Sequence, residues 1–159
     1  MTTSKTSIDS ILMLGEGSNY QERASAEIMI VGQAIKENAN GTIQGATDAV
    51  AWRGGITLPK DELGQGYSGV YATDTGTDNL YASGDEVRYA VVAQDVDFKG
   101  WVKASGTDIT ADDELEIIDE GTYKGCFQKK NSGVGVAVAL ESLAISGIAV
   151  NTALKMRRI

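Results

Sequence analysis

From Glu86 onward the chain is a succession of short apolar stretches, each closed by turn residues. They fall at 86–93, 98–103, 115–118, 123–128, 133–140 and 148–158. Two of them have a period of two. Val134, Val136, Val138 and Leu140 alternate with Gly135, Ala137 and Ala139, and Val150, Thr152, Leu154 and Met156 alternate with Asn151, Ala153, Lys155 and Arg157. Successive side chains of a strand point to opposite faces, so these stretches read as strands with one buried face, formed by the larger set. Closely spaced strands with turns between them predict a mainly β domain, a small barrel or a sandwich. The 19 glycines and the single proline, Pro59, suit such a turn-rich sheet protein.

The first half is less regular. The stretch 27–35, Glu-Ile-Met-Ile-Val-Gly-Gln-Ala-Ile, fits both helical and extended spacing; its β-branched residues and Gly32 favour a strand. Asn40-Gly41 predicts a hairpin turn, and 49–58 a strand with a glycine break that ends at Pro59. A long loop rich in Gly, Thr and Asp follows over 60–79. Residues 1–22 are polar apart from Ile8, Ile11, Leu12, Met13 and Leu14. That is too little apolar surface for a core, so 1–22 reads either as an arm that orders on docking or as a frayed terminus, and 23–159 as the β domain. There is also an internal echo: Ser83-Gly84-Asp85-Glu86-Val87 returns as Ala111-Asp112-Asp113-Glu114-Leu115, each at the start of a strand. Glycine, and less comfortably aspartate, takes the positive φ such a turn needs.

Charge and composition narrow the chemistry. The net charge of −8 and pI near 4.5 repel nucleic acid and anionic membranes. No apolar run reaches membrane-spanning length. Met1-Thr2-Thr3-Ser4-Lys5 lacks the apolar stretch of a signal peptide, so the expected compartment is a reducing cytoplasm. Histidine is absent, which removes Ser-His-Asp and Cys-His catalysis and nearly all zinc sites. The lone cysteine, Cys126, forms no internal disulfide and reads as a small apolar strand residue.

The remaining motifs are weak. Gly64-Gln65-Gly66-Tyr67-Ser68-Gly69 matches a dinucleotide-binding pattern but follows Pro59-Lys60-Asp61-Glu62-Leu63 instead of an apolar strand, so it reads as loop. Asp95-Val96-Asp97-Phe98-Lys99-Gly100 starts like a calcium loop, yet Lys99 stands where an oxygen ligand belongs and Gly106 where the closing glutamate should be. Asp74-Thr75-Gly76-Thr77-Asp78-Asn79 reads as a solvated loop. Asp112, Asp113, Glu114 and Glu116 bunch at one turn and do not flank a cleft as glycosidase carboxylates do. The expectation is no enzyme, no catalytic residue, no metal and no cofactor. The C-terminal Lys155-Met156-Arg157-Arg158-Ile159 concentrates positive charge, suited either to an acidic partner or to a solubilised strand edge.

As a whole, the chain from Ala24 to Ile159 resembles the cement, or head decoration, proteins of tailed bacteriophages. The resemblance is carried by Ala26-Glu27-Ile28 through Gly32, Ala34 and Ile35, by Asn40-Gly41-Thr42-Ile43, and by Trp52-Arg53-Gly54-Gly55-Ile56-Thr57-Leu58. It continues in Tyr81-Ala82-Ser83-Gly84-Asp85-Glu86-Val87, Ile109-Thr110-Ala111-Asp112-Asp113-Glu114-Leu115 and the closing strand 150–159. Asp112 departs from the family pattern, which has glycine there, and neither the arm nor the 60–79 loop is covered. The resemblance implies a virion protein made in the host cytoplasm that binds the outer surface of the assembled capsid and stabilises it. Its partner would be the major capsid protein, and it would act as a homo-oligomer, a trimer or dimer. Candidate contacts are Ile8, Ile11, Leu12, Met13 and Leu14 of the arm, with Lys155, Arg157 and Arg158. The competing expectation is a free β domain for ligand binding, a carbohydrate-binding or adhesin module, with Tyr67, Tyr71, Tyr81 and Trp52 stacking on sugars.

Overall fold

A computed structural model describes residues 19–58, 80–119, 121–149 and 152–159. Two of its strands begin at residues that take a left-handed φ. Gly84 (φ 90°) precedes one, and Asp112 (φ 76°) precedes the other. The first-half strands are β1 (Asn19–Ala24), β2 (Met29–Ile30), β3 (Ile35–Glu37), β4 (Ile43–Gly45), β5 (Gly55–Thr57), β6 (Leu80–Tyr81) and β7 (Glu86–Val91). The second-half strands are β8 (Asp97–Val102), β9 (Glu114–Ile117), β10 (Phe127–Lys129), β11 (Ala137–Ala139) and β12 (Thr152–Arg158). The second half closes into a five-stranded barrel in the order β10-β8-β12-β11-β9. The first half forms a three-stranded sheet, β1-β7-β5, and two short ladders, β2-β6 and β3-β4. The fold is therefore mainly β with a small barrel, as the sequence spacing predicts.

The sequence echo is a structural one. In each copy an aspartate N–H closes the turn, Asp85 onto the Ala82 carbonyl (3.1 Å) and Asp113 onto the Thr110 carbonyl (3.0 Å). In each copy the aspartate side chain accepts the N–H at the start of the turn, that of Ala82 (2.9 Å) or Thr110 (2.8 Å). Each turn also exchanges two backbone bonds with a neighbouring segment. Gly84 donates to the Ser25 carbonyl and Ser25 to that of Asp85; Asp112 donates to the Ala139 carbonyl and Ala139 to that of Asp113. The first unit thus ties β1 to β7 and the second ties β11 to β9 by the same device.

Two apolar cores follow. One fills the barrel, with Phe98, Leu115, Phe127, Leu154 and Met156. Trp52, from the first half, joins it with ring centroids 6.0 Å from Phe98 and 5.7 Å from Phe127. The other lies between the first-half strands and the outer face of β8, with Ile30, Ile35, Tyr81, Tyr89 and Trp101.

Several expectations change in detail. On β11 the small residues face inward: Ala137 and Ala139 are fully buried, Val138 and Leu140 are half-buried and Val134 is 68% exposed, while Val136, just before the strand, is buried as expected. The reason is volume. A five-stranded barrel has a narrow interior, and Phe98 and Phe127 already occupy it. A Cβ on Gly100 would stand 2.6 Å from the Phe127 ring, so the space left opposite admits alanine. On β12 the expected face holds, with Leu154 and Met156 buried.

The stretch 27–35 is not one strand; it breaks at Gly32 (φ 84°), where a Cβ would stand 2.6 Å from the Trp101 ring. The break lets the Gln33 side chain accept from the Ile30 N–H (2.9 Å) and donate to the Lys124 carbonyl (2.5 Å). Stretch 49–58 is strand only at β5, and 123–128 begins with a 3₁₀ turn at Gly121–Tyr123 before β10. The Asn40-Gly41 hairpin is present as β3–β4, with Gly41 (φ 85°) donating to the Asn38 carbonyl (3.0 Å). Strand β1 starts at Asn19, so residues 19–22 of the expected arm are paired with β7, and Glu22 meets Arg88 at 2.9 Å. Residues 1–18 and the 60–79 loop lie outside the described residues.

Candidate functional site

The distribution of charge locates the surfaces of interest. Of the twelve described cations, six pair with a carboxylate. Lys124 pairs with Glu27, Lys129 with Asp113 and Lys130 with Glu114, each at 2.8 Å. Arg88 pairs with Glu22, and Lys103 lies 5.3 Å from the centre of the Tyr123 ring. Arg23 donates to the Tyr89 hydroxyl (3.1 Å), which lies 2.8 Å from both Gln21 Oε1 and Glu37 Oε1 and donates to one of them. Burial first, and then the bond to Glu37, raise the Tyr89 hydroxyl above its ordinary value.

The C-terminal cations divide. Arg157 donates to Asp97 at 2.7 Å, and that bond lowers the Asp97 carboxyl below its ordinary value. Asp97 is therefore engaged by a cation, which weakens the calcium-loop reading of 95–100. Arg158 is half-buried: its guanidinium lies 5.2 Å over the Trp52 ring and donates to the Val92 carbonyl (2.5 Å). Burial lowers it from its ordinary value. Lys155 stands directly opposite Lys99 across the β12–β8 ladder. Neither amine has a salt bridge or hydrogen bond among the described residues. Like charges directly opposite are unfavourable, by roughly 0.2–1 kcal/mol in exposed pairs.

Lys36 and Arg53 are likewise without an ionic partner among the described residues, and they share a cleft of about 490 Å³. Its walls are the β3–β4 turn (Ile35 to Ala39), Ala51 and Arg53 from the segment before β5, Gly55, and Tyr89 and Val91 of β7. A second groove of about 340 Å³ runs between Val50 and Val134, with Glu116 and Ile117 among its walls. Val50 is 88% exposed and Val134 68%, the largest such exposures among the described apolar residues. Glu116 is buried and serves the loop beside it, accepting from Gln128 (2.9 Å) and from the Gly133 N–H (2.6 Å). The carboxylates of the 112–116 cluster are thus used by separate turn and strand contacts.

Tyr81 and Trp52 are buried, at 1% and 4% exposed, so neither offers a ring face to a sugar; Tyr67 and Tyr71 lie outside the described residues. Cys126 is fully enclosed, and burial pushes its thiol up to about 12, as fits an inert core residue. Ile8, Ile11, Leu12, Met13 and Leu14 lie outside the described residues. The Lys36–Arg53 cleft escaped sequence reading because its cations are 17 positions apart and come to one cleft only through the Ala34–Ile56 bridge and the β5–β7 pairing. No single-sequence signal marks them.

No protein-family profile and no curated protein matches the chain. Among solved structures, the fold is similar to the head fiber gp8.5 N base in bacteriophage phi29, with a TM-score of 0.53 at 10% sequence identity. The match covers 89% of this chain and 94% of that one.

Proposed function

We propose that this chain is a structural protein of a tailed-phage head, made in the host cytoplasm, that binds the outer surface of the assembled capsid and stabilises it without catalysing a reaction. The observation that supports this most is the likeness of fold to a phage head fiber base along nearly the full length of both chains. The sequence resemblance to capsid cement proteins, carried by turn and strand residues from Ala24 onward, points the same way.

The mechanism is mass action. A protein that binds the closed shell and not its separated subunits stabilises the shell, by about 2.7 kcal/mol per site at a free concentration one hundred times Kd. Repetition over a lattice, or assembly of the protein as a dimer or trimer, multiplies weak contacts into avidity. The partner is the major capsid protein. The contacts assigned to it are Ile8, Ile11, Leu12, Met13 and Leu14 of the arm, and Lys155 and Arg157 on the outer face of the barrel. Arg158 contributes to the fold instead, through Trp52 and Val92. The net charge of −8 disfavours packaged nucleic acid as the partner.

The test is sedimentation of the full chain with cognate capsid shells that lack it. Saturable binding at a fixed number of copies per shell, with a rise in the temperature at which shells break, is the expected result. Failure to cosediment, together with retention on a glycan array, would favour the ligand-binding alternative.

A further inference from the structure

Resting on the capsid-binding reading above, we infer that the cleft beneath the β3–β4 turn grips a carboxylate-bearing segment of the capsid shell protein through Lys36 and Arg53.

Three observations carry this. The chain has 22 acidic residues against 14 basic ones, and half of the described cations pair with a carboxylate, Arg23 with Glu37, Arg88 with Glu22 and Lys124 with Glu27 among them. Lys36 and Arg53 are exceptions, and they line the same cavity. Two cations that line one cleft without a salt bridge to a described carboxylate repel each other, a cost that an incoming anion removes.

Among the described residues, the cleft's one acidic wall residue is Glu37, and it forms no salt bridge with Lys36 or Arg53. Glu37 Oε1 lies 2.8 Å from the Tyr89 hydroxyl and 3.9 Å from Arg23, on the side of β1 and β7. The amide of Asn38 donates to Thr42 Oγ1 (3.0 Å) and keeps the turn in place. Lys36 thus projects from a strand whose turn is fixed, and Arg53 follows the buried Trp52.

The remaining walls are apolar. Ile35, Ala39, Ala51 and Val91 offer a surface for the aliphatic stem of a glutamate or for the residue beside an aspartate. Arg53 presents a planar fork that fits a carboxylate with two parallel bonds, and Lys36 adds a point charge beside it. A free phosphate would leave those apolar walls uncovered, and a nucleic-acid strand would meet the repulsion of the whole acidic surface.

The experiment compares the full-length protein with Lys36→Gln/Arg53→Gln and Lys36→Glu/Arg53→Glu in sedimentation with cognate shells, with Lys129→Glu/Lys130→Glu matching the reversal's change in net charge. Thermal melts check that each variant is folded. The neutral variant is expected to bind at least tenfold more weakly and to lose most of the salt dependence of binding. The reversed variant is expected to bind weaker still, while Lys129→Glu/Lys130→Glu stays within about threefold of the wild type. If the wild type binds shells and the neutral variant binds equally well, the cleft assignment is overturned while the capsid reading stands. If the wild type does not bind shells at all, the capsid reading itself fails and this inference with it.

Discussion

Replacing Arg158 by alanine separates a residue that holds the fold from one that meets a partner. Its guanidinium lies 5.2 Å over the Trp52 ring and donates to the Val92 carbonyl, and Trp52 in turn packs on Phe98 and Phe127 inside the barrel. A partly exposed cation–π contact contributes about 0.5–1 kcal/mol. A hydrogen bond from a charged donor contributes about 1.5–3 kcal/mol, less for a group that remains in part solvated. Together they give about 2 kcal/mol, and in a domain of this size each kcal/mol moves the melting temperature by about 2–4 °C. Arg158→Ala should therefore melt about 4–8 °C below the wild type at neutral pH, by calorimetry or circular dichroism. Its tryptophan fluorescence should shift as Trp52 gains access to water. Arg157→Ala, which removes an exposed pair with Asp97, should melt close to the wild type because solvent screens that pair. If Arg158→Ala melts within about 1 °C of the wild type, the ring contact and the carbonyl bond contribute nothing, and Arg158 belongs with the surface cations.

The repeated turn gives a second prediction: Gly84→Ala, where an added Cβ meets open space, should cost about 1 kcal/mol from its positive φ alone, while Asp112→Gly should fall within about 0.5 kcal/mol of neutral because relief of strain offsets a looser unfolded chain. Chemical denaturation reads both, and a neutral Gly84→Ala would mean that the turn relaxes. Acid should destabilise the fold with a definite sign. The Lys129 pair and then the Thr110 N–H lower the Asp113 carboxyl, the Ser146 N–H lowers that of Asp108, and Arg157 lowers that of Asp97. Their folded values lie below the unfolded ones, so the stability they contribute is complete above about pH 4 to 5 and is lost as pH falls through the folded values. Melts between pH 6 and pH 2.5 should show this loss, and Asp113→Asn should make the curve shallower; an unchanged slope would count against the Lys129 pair. Deleting residues 1–17 leaves β1 whole, so the melting temperature should hold while capsid binding weakens at least tenfold, about 1.4 kcal/mol. Truncated protein that binds shells as well as the full chain would make the arm a passive tail.

Much of this architecture is local and was legible in the residues. Gly41, Gly84 and Asp112 mark turns because few side chains tolerate a positive φ, and the alternation of Leu154 and Met156 with Lys155 and Arg157 names the buried face of β12. The similarity of 83–87 to 111–115 foretold two turns of one geometry. What the tertiary structure decided depends on volume and on long-range pairing. Ala137 and Ala139 face inward on β11, in place of Val138, because Phe98 and Phe127 already fill much of the barrel. Stretch 27–35 breaks at Gly32 because the Trp101 ring from β8 lies against it. Arg158 turns into the fold because Trp52, 106 positions away, stands beneath it, and Lys36 and Arg53 meet because β5 and β3 converge. Turn chemistry depends on single residues and their immediate neighbours, whereas the facing of a strand and the partner of a charge depend on which distant segments arrive beside them.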